Sequence, residues 1–161
     1  MSDTNKLPSY GESLYTMFKA YEGAEQWGGI VETIQKWTYG KMVRAAWCST
    51  SISYFLTKLG FTIKYENVNE LRSACYRKSN VGTGTYYKKG NFPKTLKRGD
   101  ILFYLWEGYE MRNTSKKHVS VCAANTDFAA SSVIPSIGGN QSGSICIKNY
   151  DKKYLYAVYR V

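Results

Sequence analysis

The chain has 161 residues, 43% of them hydrophobic and 21% charged, ordinary values for a globular domain and enough length for one core and little more. Its net charge is +10, from 22 Lys and Arg against 12 Asp and Glu, a field that draws a protein toward polyanions such as nucleic acid, anionic lipid or a bacterial wall. The basic residues are scattered, as in Lys88-Lys89, Lys97-Arg98, Lys116-Lys117 and Lys152-Lys153, so no nucleic-acid arm is indicated, and no apolar stretch is long enough to span a membrane.

The first elements are helical. Ser9-Tyr10-Gly11-Glu12 has capping-box spacing, and Leu14, Met17, Phe18 and Tyr21 follow at helical intervals up to Gly23. A second helix carries Ile30, Ile34 and Trp37 and closes at Tyr39-Gly40. The third is the clearest. Cys48, Ile52, Phe55, Leu56 and Leu59 share one face, Gly60 supplies the left-handed residue beyond the end, and Phe61 packs back on that cap. A fourth, shorter helix starts with Asn67 as N-cap and runs through Val68, Leu71 and Cys75.

Residues 79–98 are turn-rich and basic and read as a loop within one fold. Strands follow: Ile101 to Trp106, a polar loop from Glu107 to Lys117, then His118 to Ala124, Ser131 to Ile134, Ser144 to Lys148, and Tyr154 to Val161. Helices first and strands after predict an α+β domain with an antiparallel sheet. The expectation is one catalytic domain over 1–161, with a helical part at 1–44 and a Cys/His core at 45–161.

The 15 Tyr either line a carbohydrate or peptide groove or fill half-buried sheet positions. Four Cys lack the tight spacing of a zinc site or a disulfide framework, and Cys75, Cys122 and Cys146 read as small core residues. Met1 to Lys6 carries no apolar signal core, so synthesis in the cytoplasm without a standard secretory signal is expected.

Two residues carry the chemistry. His118, the sole histidine, opens a strand, and Cys48 opens a helix earlier in the chain. A helix N-terminus favours a thiolate through its partial positive charge and unpaired N–H groups, and an imidazolium beside it favours the thiolate further. A nucleophilic thiol followed in sequence by a histidine base is the order of a papain-like cysteine hydrolase. By strand alternation His118, Ser120 and Cys122 face one way, and Val119, Val121 and Ala123 the other. If the valines pack inward, His118 faces a second surface, and helix 47–59 lying there brings sulfur to imidazole.

The stretch from Trp47-Cys48-Ser49 to Leu59-Gly60 resembles the nucleophile helix of CHAP and NlpC/P60 peptidoglycan hydrolases. Lys97-Arg98-Gly99-Asp100-Ile101-Leu102-Phe103 resembles their Pro-Gly-Asp-Ile-Val-Phe-Phe strand, and His118-Val119-Ser120-Val121 their His-Val-Gly-Ile-Val strand. Ser136-Ile137-Gly138-Gly139-Asn140 is similar to their Thr-Ile-Glu-Gly-Asn segment, and Tyr156 to Arg160 to their final strand. The resemblance spans residues 45–161.

It implies a papain-like fold, with N-terminal helices on an antiparallel sheet or half-barrel. It further implies Cys48 as nucleophile, His118 as base and then acid, Asn140 as the residue orienting the imidazole, and the Cys48 N–H as part of an oxyanion hole. Tyr39 and Trp47 would line the substrate groove, and no metal or cofactor would be needed. Gly138 stands where the family often has Glu, so the orienting role falls on Asn140 alone or on a polar neighbour such as Gln141 or Ser136. Gly138-Gly139-Asn140 also has the composition of a turn before a strand.

The implied function is hydrolysis of peptidoglycan amide bonds, as endopeptidase or N-acetylmuramoyl-L-alanine amidase. The partner is the peptide part of the wall, the state a monomer, and no nucleic acid is expected. The wall would be reached after release or delivery, by a phage holin, a secretion apparatus or a virion. The alternatives are an amide hydrolase or acyltransferase acting elsewhere, and a degenerate fold serving as a basic binding module.

Overall fold

Ser9 starts the first helix as its capping pattern requires, its hydroxyl accepting the Glu12 N–H at 3.1 Å. The structure, a computed structural model, describes residues 9–106 and 116–161, so Met1 to Lys6 and most of the polar stretch after Glu107 lie outside the described residues. Four helices come first: α1 (Tyr10–Ala20), α2 (Gly29–Tyr39), α3 (Cys48–Lys58) and α4 (Val68–Arg77). Gly40 ends α2 at φ 76°, a left-handed conformation that suits glycine. Asn67 caps α4 by accepting the Asn69 N–H at 2.7 Å. Beyond α3, the Phe61 N–H returns to the Leu56 carbonyl at 3.1 Å, the backward fold expected of that cap.

The strands are β1 (Thr85–Lys88), β2 (Thr95–Leu96), β3 (Ile101–Leu105), β4 (Lys117–Cys122), β5 (Thr126–Asp127), β6 (Val133–Gln141), β7 (Ser144–Asp151) and β8 (Leu155–Arg160). Six of them form one sheet in the order β1-β8-β3-β4-β6-β7, and β2 pairs with β5. Every pairing is antiparallel, so the described residues form an α+β structure with an antiparallel sheet.

Three differences from the sequence reading concern strands, and one is the short β5, which the sequence reading did not mark. The basic stretch 79–98 contains β1 and β2 and is not all loop. As an edge strand, β1 owes its register to β8, with Tyr86 opposite Tyr159, and needs no apolar alternation of its own. Strand β6 runs on through Gly138, Gly139 and Asn140, which sequence alone reads equally well as a turn.

The sheet is covered on both faces, which is why β3 is apolar throughout. Ile101, Phe103, Val119, Val121, Ala157 and Tyr159 meet the helices, while Leu102, Tyr104, Cys122, Ile134, Tyr150 and Val158 make a second cluster behind the sheet. Tight turns lock the helices to the sheet. Gly99 holds φ 98°, and a Cβ there would overlap the Gly11 backbone at the start of α1. Next to it, buried Asp100 takes two hydrogen bonds from the Arg160 guanidinium, at 2.9 and 2.8 Å, and one from the Lys97 N–H at 2.8 Å. This fork joins the last strand to the turn before β3.

Removing the Asp100 charge leaves a half-buried guanidinium without its partner. We expect Asp100→Asn to cost about 2 kcal/mol, since hydrogen bonds to charged groups carry that much. Thermal unfolding followed by circular dichroism should show a fall of about 4 to 8 °C for a chain of this size. An unchanged midpoint would remove the pair from the stabilising interactions.

Candidate active site

The site forms where two ladders part. On β4, residues 118, 120 and 122 exchange hydrogen bonds with β3, which turns the N–H groups of Val119 and Val121 toward β6. Strand β6 answers at Val121 and Cys122 and goes no further along β4. The Val119 N–H is therefore left over, and it donates to the sulfur of Cys48. The first turn of α3 fills the gap that β6 leaves, with the Ser49 N–H as a second donor to the sulfur.

Glycines make the close approach possible. A Cβ on Gly139 would sit 2.6 Å from the Trp47 ring and 2.8 Å from Ser51 Oγ. A Cβ on Gly138 would sit 2.8 Å from Ser120 Oγ. At the position where the resembling family often carries Glu, a side chain here would have to displace the Ser120 hydroxyl and crowd Gln141 Oε1. Gln35, inside α2, donates to the Ala45 carbonyl at 3.0 Å and holds the segment that leads into Trp47 and Cys48.

His118 lies within hydrogen-bond reach of the sulfur. Its Nε2 is 3.0 Å from Gln141 Oε1. The Gln141 amide is fixed from its other end, because its Nε2 donates to the carbonyls of Ser136 at 3.1 Å and Cys146 at 2.6 Å. With the amide nitrogen spent on two carbonyls, Oε1 must face the imidazole, and Nε2 of His118 must be the donor. That leaves Nδ1 for the sulfur, in the tautomer able to accept a thiol proton. Ser120 Oγ also donates to Gln141 Oε1, at 2.7 Å.

The orienting residue is thus Gln141, and the assignment of that role to Asn140 is corrected. The ladder between β6 and β7 shifts register between Gly138 and Gln141, and Asn140 takes φ 59° within that bulge. A bulge inserts one residue, so the side chain that returns to the imidazole is one place later than linear spacing suggests. Trp47 is also corrected. It is 0% exposed and wedged between α3 and Gly139, so it supports the site from beneath and lines no groove. Tyr39 is half-buried at the end of α2, where burial and then the Glu66 carboxylate raise its phenol. Helix α3 lies on the valine face of β4, not on the His118 face. Imidazole and sulfur meet because Cys48 stands at the very start of α3, level with the backbone between the two faces.

Sequence reasoning did not reach Tyr150 or Lys117. Tyr150 belongs to the cluster behind the sheet, and its ring centroid is 5.5 Å from that of His118. Lys117 precedes His118 and donates to Asn67 Oδ1 at 3.4 Å. Only the fold brings Tyr150 to the site and Asn67 to Lys117.

Cys48 and His118 are both buried, with 7% and 8% of their surface exposed, against 0% for Trp47, Ser49 and Thr50. Burial by itself pushes the thiol up. The hydrogen bond and charge of His118, with the Val119 and Ser49 N–H groups, outweigh that and hold Cys48 below the ordinary thiol range. Burial by itself lowers His118, but the sulfur, followed by Gln141, raises it above its ordinary value. Both shifts favour a thiolate–imidazolium pair. Burial pushes Cys75 well above the ordinary range and Cys122 up to about 11. No protein-family model and no curated protein matches this chain.

The two shifts set a pH window. The thiolate persists above the lowered Cys48 value, and the imidazolium persists below the raised His118 value. Iodoacetamide at about pH 6, well under the free-thiol reference, should alkylate Cys48 and spare Cys75 and Cys122. Gln141→Ala should slow that alkylation by about tenfold, the worth of one charge-assisted hydrogen bond, and move its pH midpoint upward. Asn140→Ala should leave both unchanged. Peptide mapping of the alkylated protein distinguishes the sites, and equal effects of the two variants would refute the Gln141 assignment.

Proposed function

We propose that this chain is a cysteine hydrolase with a papain-like fold that cleaves amide bonds of bacterial peptidoglycan, as an endopeptidase or an N-acetylmuramoyl-L-alanine amidase. The observation that carries the reading is the connected series Cys48, His118, Gln141, in which each side chain fixes the next. The resemblance of residues 45–161 to CHAP and NlpC/P60 hydrolases supplies the substrate class. The net charge of +10 supports it, since an anionic wall concentrates such a protein.

In the proposed reaction the Cys48 thiolate attacks the amide carbonyl carbon. The developing oxyanion is met by the Cys48 N–H, a first-turn amide that no carbonyl of α3 can reach. His118 Nδ1 gives its proton to the amide nitrogen as the C–N bond breaks, and the amine leaves. A thioester remains on Cys48. Water then loses a proton to His118 and adds to the thioester carbonyl. Its collapse frees the carboxylic acid and restores the thiolate and imidazolium. Gln141 touches no reacting atom and acts by holding the ring.

A complete nucleophile, base and orienting residue speaks against a degenerate fold that only binds, because such a fold has no need to keep the three in register. Cys48→Ala should lower release of new amino or carboxyl groups from purified walls by at least about 10³-fold, the scale of losing a nucleophile. Wall binding and thermal stability should be retained. Wild-type protein that releases neither group from walls of any composition, or a Cys48→Ala variant as active as wild type, would end the proposal.

A further inference from the structure

A cavity of about 530 Å³ lies between α4, β1 and β8, and neither Cys48 nor His118 lines it. Its size matches sites that hold one sugar-sized unit. Four cations line it, Arg72, Arg77, Lys88 and Lys89, and no carboxylate does. None of the four is ion-paired among the described residues. Cations gathered without counter-charges repel one another, which is a cost that a bound anion offsets.

The aromatic lining narrows the class of anion. Tyr76 is 64% exposed and meets Tyr86 edge to face, with ring centroids 5.2 Å apart. The Tyr156 ring is already covered by the Arg72 guanidinium, 5.7 Å from its centroid. One open ring suits the apolar side of a single sugar or polyol, whereas a nucleic-acid strand needs successive open faces for its bases. Arg72 is held in place by bonds to Asn69 Oδ1 at 3.0 Å and Tyr86 Oη at 3.1 Å. Three of its five N–H donors remain for a ligand, in a geometry matched to phosphate.

The cavity is tied to the catalytic pair. Lys117, beside His118, reaches Asn67 Oδ1, which also takes the Asn69 N–H, and Asn69 Oδ1 takes Arg72 Nε. A hydrogen-bonded series therefore runs along α4 from Lys117, the neighbour of His118, to Arg72 in the cavity, with Glu70 the acidic residue on the same helix near Lys117. We propose that this cavity binds a phosphodiester-linked polyol or sugar chain, such as anionic wall polymers carry, and so seats the protein on its substrate beside the amide to be cut. The polymer's identity rests on the wall-hydrolase reading, whereas the site rests on the cavity alone.

The test uses a labelled poly(glycerol phosphate) oligomer and the variant Arg77→Gln/Lys88→Gln, two exposed positions outside the catalytic series. Binding of wild-type protein, followed by fluorescence anisotropy, should weaken with salt, and the variant should bind more weakly with a slope in log K against log salt smaller by about two, one per cation removed. Hydrolysis of a short phosphate-free stem peptide should be the same for both proteins. Hydrolysis of intact walls should fall in the variant, and stripping the walls of phosphodiester polymer should abolish the difference. Equal binding by variant and wild type would overturn the proposal. So would a single-stranded oligothymidylate that binds more tightly than the polymer and is lost in the same variant, which would assign the cavity to nucleic acid. Polymer binding that the variant loses, in a wild-type protein that hydrolyses neither peptide nor wall, would leave this site standing and remove the hydrolase reading.

Discussion

The Val119 N–H points toward β6, and β6 does not reach it. A buried donor without a partner costs about 1 to 3 kcal/mol, so something must take its place, and what takes it is the sulfur of Cys48. That substitution puts the start of α3 against the strand edge and the thiol beside the next residue back, His118. The bulge in β6 then has to turn aside without colliding with Trp47 or Ser120, which is why Gly138 and Gly139 carry no side chains. The same bulge sends Gln141 back toward the imidazole. A gap in one ladder thus organises the helix start, the strand bulge and all three polar groups of the site.

A buried ion pair is ordinarily a poor source of stability, because both charges give up water. Here the loss is spread over several donors. The sulfur has two backbone N–H groups, and the imidazole has the Gln141 oxygen, itself anchored by two carbonyls. Backbone donors of this kind belong to the sheet and the helix and do not have to be ordered when a substrate arrives. The second cluster, with Tyr104, Trp106 and Tyr150 packed ring on ring, gives the imidazole a rigid wall on its far side.

Much of this was legible in the residues. Helical periodicity and capping residues marked α1 to α4, because those signals are local, and the apolar runs marked β3, β4 and β8. The pairing of Cys48 with His118 was allowed by their placement at the heads of a helix and a strand and suggested by the order of the motifs around them. Strand β1 was not legible, since its pairing is set by β8, far along the chain. Gln141 could be named only as one option, because a bulge changes which residue faces inward and leaves no mark in spacing. Trp47 looked like a groove residue because it precedes the thiol, and only packing against Gly139 shows it to be a wedge. Alternation on β4 was read correctly, but not that α3 would rest on the valines and reach His118 by its tip.

One feature of the Gln141 side chain bears on timing. It is neutral, so sulfur is the only anionic group among the described residues that stabilises the protonated ring, while Lys148 opposes it. Had the bulge returned a carboxylate, the ring would keep a permanent counter-ion. In the proposed reaction the sulfur loses its negative charge as it bonds to carbon. At that moment the negative charge passes to the carbonyl oxygen at the Cys48 N–H, and the ring keeps its proton without the anionic sulfur beside it. Its acidity therefore rises just when the departing nitrogen needs that proton, so the nucleophile, by being consumed, turns its own stabiliser into the acid.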